Sequence, residues 1–138
     1  MANESMADLN DDRASTFLTD DKTFASVLGQ AVWLMSMDPA YKNLPISMIE
    51  GRILPPIILR QFKLYSKGKQ PVAFLTWAAL DEHAAATLDR SGLTGNDLKF
   101  WRSGKKITVV DCVSPFTPSE SFRKTFFEKS NIPRDVEK

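Results

Sequence analysis

The sequence predicts an α+β fold in which a small, mainly antiparallel sheet is covered by helices. Two observations predict it. Apolar residues recur at helical spacing in the first and last thirds of the chain, whereas the middle carries alternating and β-branched runs around a short polar turn. At 138 residues, with 43% hydrophobic and 25% charged residues, the chain is long enough to bury one core.

The first helix is predicted in the segment DDKTFASVLGQAVWLMSM, where apolar residues recur three and four positions apart. These residues are Phe24, Val27, Leu28, Ala31, Val32 and Met35. Asp20 or Asp21 is expected to cap the start, because an Asp side chain accepts hydrogen bonds from the free N–H groups there. The Asp38-Pro39 pair is expected to end the helix, since the residue before a proline avoids helical dihedrals.

The segment after Pro45 predicts a short helix and then a hairpin. The helix, in ISMIEGRILPP, is expected to stop near Gly51, before Pro55 and Pro56. RQFKLYS then alternates as a half-buried strand does, KGKQ supplies a turn, and PVAFLTWAAL is an apolar strand. Together these runs predict an antiparallel β-hairpin.

A third strand is predicted in KKITVVDCV, from Lys105 to Val113. Strict alternation would place Asp111 on the same face as Val109 and Val113, with Cys112 on the opposite face. Before this strand, LDEHAAATLDR predicts a helix that opens near the aspartate at position 81, and LTGNDLKFW predicts a short helical turn capped by the threonine at 94 or the asparagine at 96.

The last helix is predicted in TPSESFRKTFFEK, which has the pattern of a capping box. Thr117 would be the cap, Pro118 the first helical residue, and Glu120 the partner that reaches back to the cap. The phenylalanines at 122, 126 and 127 would face the core. The chain is therefore predicted to be one domain over residues 19–130, between a flexible acidic tail at 1–18 and a polar tail at 131–138.

Composition excludes several classes of function. Eighteen Lys+Arg against seventeen Asp+Glu give a net charge of +1, which does not favour nucleic acid or an anionic membrane. One cysteine and one histidine exclude an internal disulfide and a cysteine zinc cluster, so we expect no metal and a reducing compartment, the cytoplasm. No apolar run approaches the ~20 residues of a membrane span, and no glycine-rich phosphate loop occurs.

Asp111 is the residue that fits its surroundings least, because a carboxylate in an apolar strand needs a partner. It is either a structural aspartate bonded to a loop or an arginine, or a carboxylate that orients a base or polarises an amine. Nucleophilic catalysis by a pair of Cys112 and His83 is less well supported by the sequence. Cys112 lies in an apolar run, as a small buried hydrophobe does, and His83 lies near a helix start.

Several stretches, taken in order, resemble the RTX toxin-activating lysine acyltransferases. They are VLGQAVWLM, DPAYKNLP, ILPPI, RQFKLY and QPVAFLTWAAL, followed by WRSGKKITVVDCVSPF. The last stretch matches a W-x-S-G … D-x-x-[A/S]-P-F pattern through Trp101, Ser103, Gly104, Asp111, Pro115 and Phe116. The resemblance covers roughly residues 24–127 in unbroken order.

The resemblance implies a GNAT-like fold and a cytoplasmic, dimeric enzyme that moves a fatty acyl chain from acyl carrier protein to a lysine of a toxin-like protein. No permanently bound cofactor is implied. Asp111 falls on the family's catalytic aspartate, and Tyr41 falls on its catalytic histidine. A phenol, with an ordinary pKa near ~10, suits hydrogen bonding to a thioester oxyanion better than it suits a base.

Other residues are assigned to substrate binding by the same resemblance or by their charge. Asn43 and Ser103 lie in matching motifs, and Lys67 and Lys69 form a basic turn that would offer a surface to acidic carrier protein. Two functions stay open at this point. The chain is an acyltransferase with an altered mechanism, or a catalytically impaired relative that binds carrier protein, an acyl chain or a toxin-like partner.

Overall fold

The structure is a computed structural model that describes residues 23–91 and 98–130. Its elements follow in the order α1 (Phe24–Met37), a π-helical turn (Ile49–Ile53), α2 (Leu54–Ile58), β1 (Phe62–Lys67), β2 (Gln70–Leu80), α3 (Glu82–Ser91), a 3₁₀ turn (Leu98–Trp101), β3 (Lys106–Val113) and α4 (Ser119–Ser130). The described strands form an antiparallel sheet in the order β1-β2-β3. The predicted α+β class is confirmed, and the layout is consistent with a GNAT-like fold.

Helices pack on both faces of this sheet. On one face, Phe74 and Val113 contact the buried side of α1 together with Ile53 and Ile57. On the other face, apolar residues of β2 and β3 pack against α4, whose buried residues include Phe126 as predicted. A further group of buried apolar residues lies where the end of β2 meets α3 and the 3₁₀ turn. The hydrophobic core is therefore built around the sheet, and a functional site can form where the connecting segments meet the strands.

Helix α1 and the β-hairpin confirm their predictions, with one correction at the helix start. The cap is Thr23, whose Oγ1 accepts a hydrogen bond from the N–H of Ser26 at 3.3 Å. Asp20 and Asp21, the expected caps, lie outside the described residues, as do the two predicted tails and the expected caps at 94 and 96. The hairpin turns at Gly68, where φ is 63° and glycine avoids steric strain.

The helical segment after Pro45 does not stop at Gly51, which corrects the second expectation. The chain continues through the π-helical turn into α2, with both prolines in the first turn of that helix. Proline is tolerated there because the first N–H groups of a helix have no partner within it. Helix α4 likewise begins at Ser119, one residue after the predicted first helical residue.

A β-bulge in β3 corrects the predicted face of Val109, whereas Asp111 and Val113 share one face and Cys112 lies on the other, as predicted. Thr76 lies opposite Asp111 and Trp77 lies opposite Val109, so one extra residue of β3 is left without a partner. Val109 consequently packs in the same cluster as Cys112, on the α4 side of the sheet. Asp111 points to the opposite side, toward α1. Strict alternation failed here because one inserted residue reverses every side chain beyond it.

Candidate active site

Asp111 is buried in the sheet next to the bulge, with 1% of its surface exposed. Its backbone N–H donates a 3.1 Å hydrogen bond to Oγ1 of Thr76 on the neighbouring strand. A bulge disturbs the ladder of backbone hydrogen bonds, and the threonine hydroxyl supplies an acceptor at that point. The strand therefore fixes the backbone of Asp111 and leaves its carboxylate to side-chain partners.

Two side chains bind the carboxylate. The Arg52 guanidinium donates from Nε to Oδ2 at 3.0 Å and from Nη2 to Oδ1 at 2.6 Å. The Tyr41 hydroxyl donates to Oδ1 at 2.9 Å. The arginine contact is bidentate, the strong and directional form of this ion pair. Tyr41, Arg52 and Asp111 are called the carboxylate cluster below.

Tyr41 is held in the turn that follows α1. Its hydroxyl accepts a 3.3 Å hydrogen bond from the N–H of Cys112 while it donates to Asp111. The turn is tied to the end of β3 by Asp38, whose Oδ2 accepts from the N–H of Ser114 at 2.9 Å. Oδ1 of the same aspartate accepts from the N–H of Ala40 at 2.9 Å. Asp38 therefore sets the position of Tyr41 relative to the strand that carries Asp111.

The electrostatics of the cluster hold Tyr41 as a phenol. Burial raises the pKa of Tyr41 above its ordinary value, and the charge and hydrogen bond of Asp111 raise it further. Burial also raises the pKa of Asp111. The hydrogen bonds and charge of Arg52 and the hydrogen bond of Tyr41 favour the carboxylate and act to lower the pKa. Burial lowers the pKa of Arg52, but its interactions with Asp111 outweigh this and the net shift is upward. Tyr41 and Arg52 thus remain protonated near neutral pH.

Arg52, Thr76 and Asp38 belong to this arrangement and were missed as site residues by the sequence analysis. A signal for Arg52 was present, because it is the only cation in the apolar run MIEGRILPPI and a buried carboxylate requires a partner. Thr76 and Asp38 have no comparable signal, since their roles depend on the bulge and on the turn after α1.

The other predicted site residues are not part of the carboxylate cluster among the contacts of the described residues. Asn43 is exposed in the turn that also carries Tyr41. Lys67 and Lys69 are exposed at the hairpin turn, at the far end of β1. A mostly apolar cleft of about 490 Å³ opens beside this turn. It is lined by Gly29, Gln30, Trp33, Lys69, Gln70 and Pro71.

Ser103 and Gly104 of the W-x-S-G motif pack against the corner between β2 and α3. Ser103 Oγ accepts from the N–H of Asp81 at 3.0 Å, and the N–H of Gly104 donates to the carbonyl of Ala79 at 3.0 Å. A Cβ at Gly104 would overlap the backbone of residues 80 and 81, so the motif requires glycine there. These contacts are structural, and binding of substrate by Ser103 stays a prediction.

The surroundings of Cys112 disfavour it as a catalytic nucleophile. Cys112 is buried, and burial raises the pKa of its thiol to about 11, so little thiolate forms near neutral pH. His83 is exposed on α3, and the described residues show no contact between it and Cys112. Within residues 23–91 and 98–130, no three metal-binding side chains come together.

The family model for RTX toxin acyltransferases (HlyC) matches residues 20–136 of this chain, a range that includes the whole carboxylate cluster. This chain belongs to the RTX toxin acyltransferase family. The expected family is therefore confirmed. Among the described residues of this acyltransferase family member, no helix is long and apolar enough to cross a membrane.

Characterised relatives give the same assignment. The chain is 30% identical over 112 residues to the RTX-I toxin-activating lysine-acyltransferase ApxIC of Actinobacillus pleuropneumoniae, which covers 80% of this chain and 62% of that protein. It is 29% identical over 105 residues to the protein-lysine myristoyltransferase HlyC of Escherichia coli, covering 75% and 59%. It is 28% identical over 111 residues to the protein-lysine palmitoyltransferase CyaC of Bordetella bronchiseptica, covering 79% and 58%. The match thus spans about three fifths of the length of these relatives.

Proposed function

We propose that this chain is a protein-lysine acyltransferase that activates a toxin-like protein by moving a fatty acyl chain from acyl carrier protein to a lysine. The observation that carries the proposal is the contact between Tyr41 and Asp111. The resemblance assigns these two positions to the catalytic pair, and they lie in segments that are far apart in the chain. Family membership and the activities of the relatives support the same reaction.

The chemistry of the cluster changes the roles that the resemblance implied. Tyr41 is not a base, because its proton is donated to Asp111 and its pKa is shifted upward. Asp111 is nearly unexposed and already has three donors, so it acts through Arg52 and Tyr41 and does not meet the acceptor amine. The acceptor lysine is therefore proposed to lose its proton to solvent before it attacks.

Surface charge and the single cysteine support the proposed acyl donor and compartment. Lys67 and Lys69 are exposed and suit an acidic carrier protein. The unpaired cysteine, Cys112, suits a reducing compartment, and we propose the cytoplasm. A homodimer is proposed from the resemblance alone.

A second candidate function is binding without acyl transfer, to carrier protein, an acyl chain or a toxin-like partner. One observation favours it. Neither Tyr41 nor Arg52 releases a proton near neutral pH, so the cluster offers the acceptor amine no base of the kind that a histidine provides. Under this alternative, the cluster holds α1 against the sheet and has no catalytic role.

The test is incubation of the purified chain with acyl-loaded carrier protein and a lysine-bearing toxin segment, followed by intact-mass measurement of the segment. We expect an added acyl group whose rate of formation rises about tenfold per pH unit toward the pKa of the amine, near ~10.4. The variant Tyr41→His should raise the rate near pH 7 by supplying a base. Carrier protein that binds this chain while no variant transfers the acyl group would favour the binding function.

A further inference from the structure

The π-helical turn Ile49–Ile53 is an uncommon backbone feature, and it carries Arg52. Single π turns are rare and occur frequently at functional sites. Here the turn carries Arg52 to a carboxylate 59 positions away in sequence. The Arg52 side chain is 36% exposed, whereas Asp111 beneath it is 1% exposed. Arg52 is therefore the charged group through which the carboxylate cluster meets the surface.

The guanidinium has donors that Asp111 does not use. It is a planar fork with five N–H bonds, and one each from Nε and Nη2 points at the carboxylate. Nη1 makes no hydrogen bond to any residue that the structure describes. Because the fork is rigid, the two N–H bonds of Nη1 point away from Asp111.

We infer that Arg52 is the oxyanion donor of the acyltransferase, binding the thioester carbonyl oxygen of the acyl donor through Nη1; this rests on the proposed function. An arginine side chain keeps its proton at every pH at which the protein is folded, so it remains a donor while negative charge develops. Asp111 fixes the fork in one orientation, so it is a positioning residue. Tyr41 does not compete for this role, because its proton is already donated.

The reaction step is an aminolysis of the thioester. The lone pair of the lysine Nζ forms a bond to the carbonyl carbon, and the C=O π pair moves to oxygen, where Arg52 stabilises it. The oxyanion then collapses, the C–S bond breaks, and the carrier thiolate leaves with that electron pair. The nitrogen releases a proton to solvent and the thiolate takes one up, so the products are an amide and a free thiol.

Two exposed apolar side chains precede this donor in the chain. Leu44 and Ile46, between Tyr41 and the π turn, are 42% and 83% exposed. Exposed apolar side chains that precede a polar anchor in the chain would suit a ligand whose carbonyl continues into a hydrocarbon chain. The proposed ligand, an acyl thioester, has this composition.

The experiment measures initial rates of acyl transfer by the full chain and by Arg52→Gln and Arg52→Lys, with Arg60→Lys as the matched control. Arg60 is exposed at the end of α2 and lies outside the cluster. We expect Arg52→Gln to lower kcat by about 10²–10³-fold with little change in KM, since an oxyanion donor acts on the transition state. Arg52→Lys should keep only part of the rate, and Arg60→Lys should keep all of it.

Chemical rescue distinguishes an oxyanion donor from a residue that only holds the fold together. Free guanidinium ion, added at concentrations that leave the fold intact by circular dichroism, should restore part of the kcat of an Arg52→Ala variant and leave the unsubstituted chain unchanged. Three results would overturn this inference and leave the proposed acyltransferase function in place. They are full turnover by Arg52→Gln, a change in KM alone, and no rescue by guanidinium in an Arg52→Ala variant that unfolds cooperatively as a folded protein does. No turnover by the unsubstituted chain would remove both.

Discussion

The hydroxyl of Tyr41 joins the turn after α1 to the middle of the sheet, because it donates to Oδ1 of Asp111 at 2.9 Å across seventy positions of sequence. The hydroxyl oxygen of Tyr41 also accepts a hydrogen bond from the N–H of Cys112 at 3.3 Å. One phenol therefore satisfies a buried carboxylate and a backbone donor together. This double contact makes Tyr41 part of the framework as well as part of the proposed site.

Removing the Tyr41 hydroxyl should destabilise the protein. We expect Tyr41→Phe to lower the free energy of unfolding by about 1–3 kcal/mol, because it leaves the N–H of Cys112 and part of a buried charge without a partner. Urea unfolding followed by tryptophan fluorescence measures the change. The control is Tyr65→Phe, since the described residues show no hydrogen bond from the Tyr65 hydroxyl and its ring packs on Phe122. Equal losses in the two variants would contradict the role given to Tyr41.

The Thr76 hydroxyl should matter through the bulge. Thr76→Val keeps the shape of this fully buried side chain but leaves the N–H of Asp111 without its acceptor, so we expect a loss of about 1–3 kcal/mol. Thr76→Ser keeps the hydroxyl and removes one methyl group, for a loss of about 0.8 kcal/mol. Hydrogen exchange at the amide of residue 111 should accelerate in the valine variant only. A valine variant as stable as the serine variant would refute this account of the bulge.

Glycine is required at position 104 and not at position 29. Gly104→Ala should cost about 1–3 kcal/mol, because its Cβ would overlap the backbone at Leu80 and Asp81, which cannot easily shift. Gly29 lies exposed within α1 with open space around its Cα, so Gly29→Ala should stabilise by about 0.5–1 kcal/mol. Thermal unfolding of the two variants measures both changes. The expected result is shifts of opposite sign, and a shift in the same direction would be evidence against the corner formed by the W-x-S-G motif.

Both tyrosines should titrate abnormally at high pH. Burial raises the pKa of Tyr41 and of Tyr65, the two tyrosines of the chain. In an unfolded chain, tyrosine side chains are half ionised near pH ~10. At that pH the native protein should therefore show little absorbance in the tyrosinate band. Because the folded state holds these protons more tightly, the associated stability is complete below pH ~10 and is lost as the pH rises through the folded values. A native titration with its midpoint at the ordinary value would show that neither phenol is held as described.

Local sequence patterns predicted the elements well. The alternation of RQFKLYS and the apolar run after KGKQ predicted the hairpin, and helical spacing predicted α1, because these signals depend on neighbouring residues. The predictions failed at Gly51 and at Val109. A helix can admit two prolines in its first turn, and a strand can take up one extra residue, when tertiary packing stabilises the result.

The sequence by itself determined the fold class, the family and the importance of Asp111, since an isolated carboxylate in an apolar strand can be recognised without coordinates. Only the tertiary structure decided which groups meet that carboxylate. Arg52 reaches it through a π turn and Tyr41 through a turn tied down by Asp38, while the bulge rotates Asp111 to their side of the sheet. The physical reason is that the partners of a buried charge are chosen by packing between distant segments, whereas helices and strands follow from local periodicity.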